Sequence, residues 1–134
     1  EQELLRSAAG GDVDGRAVQI EPCLCDVTDR SRLSQVFSTF RPAIVLHAAA
    51  HKHVPMMERN PGEAVVNNLL GTQLVLQAAA DHGCLSFVLV STDKAVRPRS
   101  VMGATKRAAE RYVLLHGPSE TMRACAVRFG NVLG

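Results

Sequence analysis

Two rhythms of apolar positions alternate along this chain: short runs that are continuously apolar, and longer stretches where apolar residues recur every three or four positions. The first rhythm predicts buried strands and the second amphipathic helices. Residues 2 to 9 read as the end of a helix, and the loop "GGDVDG" that follows is built of turn formers. In "RAVQIEPCLCDV", Val18, Ile20 and Leu24 make a strand-like segment that stops at Asp26. "DRSRLSQVFSTF" then sets Leu33, Val36, Phe37 and Phe40 at helical spacing. "PAIVLHAAA" is apolar nearly throughout, as expected of a strand buried on both faces of a parallel sheet. After the loop "HKHVPMMER", Asn60 as N-cap and Pro61 at the first helical position open a helix that runs to His82 and ends at Gly83. "CLSFVLVS" predicts the next strand, "SVMGATKRAAERYVLLHG" the next helix and "RACAVRFG" a further strand.

Strand and helix thus alternate four times with short connections and no internal repeat. This implies an α/β fold, a Rossmann-type, doubly wound parallel sheet with right-handed crossovers. Such sheets bind ligands beyond the C-terminal ends of their strands. The polar clusters fall at those ends: Asp26 after the first strand, "HAAAHKH" after the second, "STDK" after the third and "RFGNVLG" after the fourth. None of the ten glycines falls in a G-x-G-x-x-G arrangement. The expectation is an interior fragment, strands three to six of the order 3-2-1-4-5-6. It would occupy residues 1–134 and lack both a glycine-rich βαβ start and a C-terminal substrate domain.

With 134 residues, 46% hydrophobic and 21% charged, the composition is that of one soluble globular domain. Its apolar runs fall far short of the roughly 20 residues that span a bilayer, and "EQELLRS" is no signal peptide, so a cytoplasmic location is expected. The net charge is +2, with 15 basic residues scattered among 13 acidic ones, 4% aromatic content and no Trp. Without a basic stripe or stacking platforms, no nucleic-acid partner is expected. Cys23, Cys25, Cys84 and Cys125 include no C-x-x-C pair and read as buried reduced thiols. His51 and His53, with only Glu58 nearby, are too few ligands for a metal, and none is expected.

The densest chemistry lies in "STDKAVRPRSVMGATKR", residues 91 to 107. Asp93 and Lys94 follow a buried strand there, and Met102 stands four residues before Lys106 on the next helix, which puts both on one helical face. A thioether cannot take a proton from a hydroxyl. The single tyrosine, Tyr112, lies beyond Lys106 and cannot fill the Met102 position.

"LHAAAHKHVPMMERNPGEAVVNNLLGT", "FVLVSTDKAVRPRSVMGATKR" and "VRFGNVLG" together resemble the extended short-chain dehydrogenase/reductases, and among them the nucleotide-sugar 4,6-dehydratases of capsule and polysaccharide biosynthesis. The resemblance spans nearly the whole chain. It implies a partial NAD-binding domain, a UDP-N-acetylglucosamine-type nucleotide sugar as substrate, and a tightly held NAD, with NADP as the alternative. The implied reaction is an internal redox cycle. Hydride leaves C4, the new ketone acidifies the C5 proton, water is lost from C6, and hydride returns to C6.

The resemblance also implies roles. Asp93 would protonate the departing C6 hydroxyl, Lys94 would take the C5 proton, and Thr92 would orient or relay the C4 hydroxyl proton. Asp93 and Lys94 would need a dry pocket that holds both neutral and couples their titrations. Met102 replaces the superfamily's catalytic tyrosine. This permits two readings: a dead reductase, or the dehydratase branch that carries methionine there and moves acid-base work to "TDK". Lys106 would hold the nicotinamide ribose. Asp26 and Val27 would read the adenine ring, Ala48 and Ala49 would let the cofactor approach, and Asn68 would hold a structural water or backbone near the site. Lys52, His53, Arg128 and Asn131 would face the substrate, and His51 stands where a tyrosine is common. The full-length protein is expected to be a homo-oligomer, inactive as this fragment alone, and the resemblance allows, without requiring, upstream helices that tether it to the inner face of the membrane. The rival readings are a nucleotide-sugar epimerase of the same fold and an inactive dinucleotide-binding regulator.

Overall fold

The computed structural model describes residues 12–13, 16–17 and 19–130. The helix expected over residues 2 to 9, together with Val18 and Asn131, lies outside them. The framework is a parallel sheet of β3 (Ile44–His47), β4 (Ser86–Thr92) and β5 (Arg123–Phe129) in that spatial order, with His47 beside Leu89 and Thr92 beside Phe129. Two further strands, β1 (Asp12–Val13) and β2 (Arg16–Ala17), pair only with each other, antiparallel. The helices are α1 (Arg30–Phe40), α2 (Val54–Arg59), α3 (Pro61–Val65), α4 (Gly71–Asp81) and α5 (Val101–His116), and a π-helical turn at Val66–Leu70 joins α3 to α4.

Alternation along β4 decides where the core lies. Phe87, Leu89 and Ser91 point to one face and are buried, and α4 and α5 cover that face with Val75, Leu76, Ala79, Ala109 and Val113. Leu33 and Phe37 of α1 extend the same core. The opposite face is open, with Ile44, Leu46, Val127 and Phe129 exposed. The expectation that "PAIVLHAAA" is buried on both faces is therefore corrected: among the described residues β3 is covered on one side, where His47 lies at 4% exposure.

The strand expected in "RAVQIEPCLCDV" does not form across residues 19 to 26, and Leu24 is 94% exposed. A strand needs a ladder partner for its backbone groups, and no described strand lies beside this segment. "HKHVPMMER" is likewise not all loop, because Val54–Arg59 is helical and buries Met57 against Ala64 and Met102. Of the four thiols only Cys84 is buried; Cys23 and Cys125 are exposed and Cys25 is half-buried, all unpaired.

Local chemistry explains the boundaries that hold. Asp29 caps α1 by accepting the Arg32 N–H at 2.9 Å. Pro61 opens α3 as expected, although the Asn60 side chain donates to the Met56 carbonyl at 2.9 Å and makes no cap bond. The α4 helix ends at Gly83 with φ 73°, a left-handed conformation that glycine adopts without steric cost. At the start of α5, Ser100 Oγ accepts the Gly103 N–H (3.1 Å) and Glu58 Oε1 accepts the Val101 N–H (2.7 Å), which ties α2 to the head of α5. Among the described residues no helix is long and apolar enough to cross a membrane.

Candidate functional site

The C-terminal ends of the three parallel strands open into a cleft of about 560 Å3. Ala48, Ala50, His51 and Lys52 line it after β3, and Val90, Ser91, Thr92 and Lys94 line it at the end of β4. Met102 and Lys106 enter from α5, and Phe129 and Gly130 close the β5 side. This is where an open α/β sheet presents its ligand site. The strand-end clusters read from the sequence therefore converge, with the exception of Asp26.

Lys106 sits at the centre of the cleft wall. It is only 5% exposed, and its Nζ donates to the Val90 carbonyl at 2.7 Å. Burial pushes its pKa below the ordinary lysine value, and the Glu110 carboxylate opposes that shift. Met102, one turn earlier on the same face, is also buried, and its sulfur side chain packs with Met57, Val54 and Val101. The position offers an apolar thioether wall and no proton acceptor of consequence.

Thr92, Asp93 and Lys94 form a short chain of bonds. Thr92 Oγ1 donates to Asp93 Oδ1 at 2.9 Å, and Lys94 Nζ reaches the same oxygen at 3.3 Å. Thr92 and Lys94 line the cleft; Asp93 does not. The expected dry pocket is corrected here: the side chains of Lys94 and Asp93 are 48% and 59% exposed. The Thr92 hydroxyl and then the Lys94 ammonium hold the Asp93 carboxyl below its usual range, not above it. Water reaches this pair, so desolvation is too weak to keep the acid neutral.

Gly103 explains how Lys94 is placed. A Cβ there would stand 2.5 Å from the Lys94 carbonyl oxygen, so only glycine lets the chain carrying Lys94 lie against the first turn of α5. Asn68 works at longer range from within the π-helical turn. It is 1% exposed, its Oδ1 accepts the His51 N–H at 2.7 Å, and its Nδ2 donates to the His51 carbonyl (3.1 Å) and to Thr105 Oγ1 (3.1 Å). These bonds offset the poor helical propensity of an asparagine and fix the backbone beside Lys52. Asn68 thus holds backbone near the cleft and does not line it.

The other expected residues divide. Ala48 and Lys52 line the cleft, whereas Ala49 does not; His53 lies in an adjoining hollow of about 300 Å3 with Met56 and Met57. Asp26 does not line the cleft, although the cleft-lining His51 lies near enough to act on it; it accepts from the Thr28 N–H (2.8 Å) and hydroxyl (2.7 Å), which lowers its pKa. Val27 packs against Gly71, where a Cβ would meet it at 2.8 Å. Arg128 does not line the cleft: beside Ser91 on the neighbouring strand, its guanidinium forks onto Glu110 with bonds of 2.9 and 2.7 Å. Sequence reasoning missed Ser91, Ala50, Phe129 and Gly130. Their position in the strand-end clusters was the available signal; the Ser91 hydroxyl adds one of its own, whereas Ala50, Phe129 and Gly130 carry none by residue type.

A dinucleotide fits this donor set. The buried Lys106 ammonium, with two N–H groups beyond its bond to Val90, and the small Ala48 are suited to a ribose and a flat ring, and the buried Ser91 lines the same wall.

The sheet, its covering helices and a strand-end cleft with a buried lysine on the following helix define a Rossmann-like fold of the short-chain dehydrogenase/reductase type. Solved relatives of that class superpose on it. The structure of Pen from Bacillus thuringiensis matches with a TM-score of 0.81 at 33% identity, covering 98% of this chain and 39% of that one. The Thermus thermophilus UDP-glucose 4-epimerase in complex with NAD matches with a TM-score of 0.73 at 28% identity, covering 78% and 39%.

More particularly, residues 2–134 match the family model described as polysaccharide biosynthesis protein, and the chain belongs to that family. The probable polysaccharide biosynthesis protein EpsC of Bacillus subtilis is 49% identical over 120 residues, 90% of this chain and 20% of that protein. A UDP-N-acetylglucosamine 4,6-dehydratase (inverting) of Campylobacter jejuni is 39% identical, covering 81% and 33%. A Rickettsia massiliae UDP-glucose 4-epimerase is 41% identical over 66% of this chain and 27% of its own length. The chain thus spans about a fifth to a third of these curated relatives.

Proposed function

We propose that the protein dehydrates a UDP-N-acetylhexosamine, with UDP-N-acetylglucosamine the leading substrate, to a 4-keto-6-deoxy sugar for polysaccharide or glycan assembly. The observation that carries this reading is a cleft where Lys94 and Thr92 stand beside Lys106, while the tyrosine position holds a buried methionine. A reductase-type site stripped of its phenol would be inert unless other groups moved the protons, and Lys94 and Asp93 can do so. The named dehydratase among the relatives supports the same class.

NAD, when bound, would accept hydride from sugar C4 and return it at C6. Lys106 would hold its ribose through the donors left beyond the Val90 carbonyl. Thr92 would orient the C4 hydroxyl and relay its proton to Asp93, whose Oδ1 it already contacts, and Asp93 would pass that proton to the C6 oxygen as it leaves as water. Lys94, already at the cleft surface, would remove the proton at C5 once the C4 ketone has acidified it and return it to C5 as hydride arrives at C6. Asp93 and Lys94 are both open to water, which a sugar covering them would exclude. Lys52 would meet the diphosphate or sugar at the β3 end.

Lys94→Met tests the assignment in the full-length protein. Turnover should vanish while NAD binding persists; retained dehydration would remove Lys94 as the base. With the unaltered protein, a product of unchanged mass and new configuration would instead point to epimerisation, and absence of any product to a binding module.

A further inference from the structure

Lys106 and Glu110 are the buried side chains of opposite charge among the described residues, at 5% and 3% exposure. They stand four residues apart on α5, hence on one face and one turn from each other. Arg128 on β5 grips Glu110 with both Nε and Nη2, the fork geometry that fixes a carboxylate in orientation as well as in charge. Ser91, buried and lining the cleft, turns its hydroxyl toward Glu110. The row from Arg128 through Glu110 to Lys106 therefore runs from the end of β5 to the cleft wall.

We propose that Glu110, oriented by Arg128, is a positioning residue for Lys106, supplying the counter-charge that holds its ammonium at the cleft where a dinucleotide ribose would lie. This rests on the reading that Lys106 holds the cofactor. Under it Arg128 acts through Glu110 and does not touch the sugar. The charges around the pair agree. Burial disfavours ionisation of Glu110, but the bonds from Arg128 and the Ser91 hydroxyl, together with the Arg128 and Arg107 charges, outweigh it and hold the carboxyl below its usual range. Burial lowers the Lys106 pKa while Glu110 raises it. From β3, His47 faces Lys106 but is neutral, and Lys94 lines the same cleft. Arg107, on the same helix as Glu110, donates to the Ala95 and Val96 carbonyls and adds a positive charge near the Glu110 carboxylate.

The test is calorimetric NAD binding to the full-length protein from neutral pH to about pH 10, where an unperturbed lysine titrates. Wild-type affinity should fall on the alkaline side as Lys106 loses its proton. In Glu110→Gln that fall should move to lower pH by about one unit, and Glu110→Asp should restore it. A Glu110→Gln protein with a lower melting temperature but an unmoved alkaline limb would reduce Glu110 to a structural role and overturn the proposal. If the single variant fails to fold, Glu110→Gln with Arg128→Met removes the stranded cation, and it must show the same displaced limb or the proposal fails. Lys106→Met is the separate control. Unweakened NAD binding there would refute the reading of Lys106 itself, whatever Glu110 does.

Discussion

Lowering the pH from neutral toward 4 puts a proton on His47, and no described side chain offers that charge a partner. The ring is 4% exposed, packed near Phe87, and its Nε2 lies 3.0 Å from Thr72 Oγ1. The Thr72 hydroxyl already donates to the Asn68 carbonyl at 2.7 Å, so it accepts from His47 and the neutral ring carries its proton on Nε2. Burial first, and the nearby Lys106 charge second, lower the His47 pKa from 6.5 to about 4. Between those values the unfolded chain binds more protons than the native one, so stability rises with pH across that window and is fully present above it. The contribution of His47 to the loss from pH 7 to pH 4 is about 3 kcal/mol. Urea unfolding of wild type and His47→Gln at several pH values measures it. Asp26, Asp93 and Glu110 lose stabilisation in acid in the same direction, but they do so in both proteins. The wild type should therefore lose about 3 kcal/mol more than the variant. Parallel curves would refute the account of His47.

Two substitutions probe how the cleft is held. Gly103→Ala must push the Lys94 carbonyl away from α5, and turnover in the full-length protein should fall at least about tenfold with NAD binding little changed; equal activity would show that Lys94 placement does not depend on this approach. Asn68→Ala removes three hydrogen bonds at a buried site and should cost about 2 kcal/mol by urea unfolding, with faster hydrogen exchange at the His51 amide; protected exchange there would contradict its role in holding that backbone.

Parts of the fold bounded by local chemistry were legible in the sequence. Pro61, Gly83 and the helical spacing after Ser100 mark α3, the end of α4 and α5 through effects within a few residues. The grouping of Thr92, Lys94, Met102 and Lys106 was legible too, because a strand end and a four-residue helical spacing carry them to one place. What failed depended on distant partners. The apolar run before Asp26 could not announce that no described strand pairs with it. The six-residue α2 is held by the Glu58 bond to Val101 and by Met57 on Met102, residues far apart in the chain. The fork between Glu110 and Arg128 spans two elements and leaves no local pattern, so the sequence could not announce it. The wetness of Asp93 is a property of what covers it, which residue type does not encode. The π-helical turn around Asn68 shifts the apolar periodicity by too little to register in so short a stretch.

The central claim is an internal redox dehydration, and the fate of the C4 hydrogen tests it most directly. Full-length protein would be incubated with NAD and UDP-N-acetylglucosamine carrying deuterium at C4, and the product examined by NMR and mass spectrometry. The account predicts a dehydrated 4-keto sugar with the deuterium recovered at C6. Deuterium found again at C4 of a sugar that has lost no water, with the configuration there changed, would contradict it.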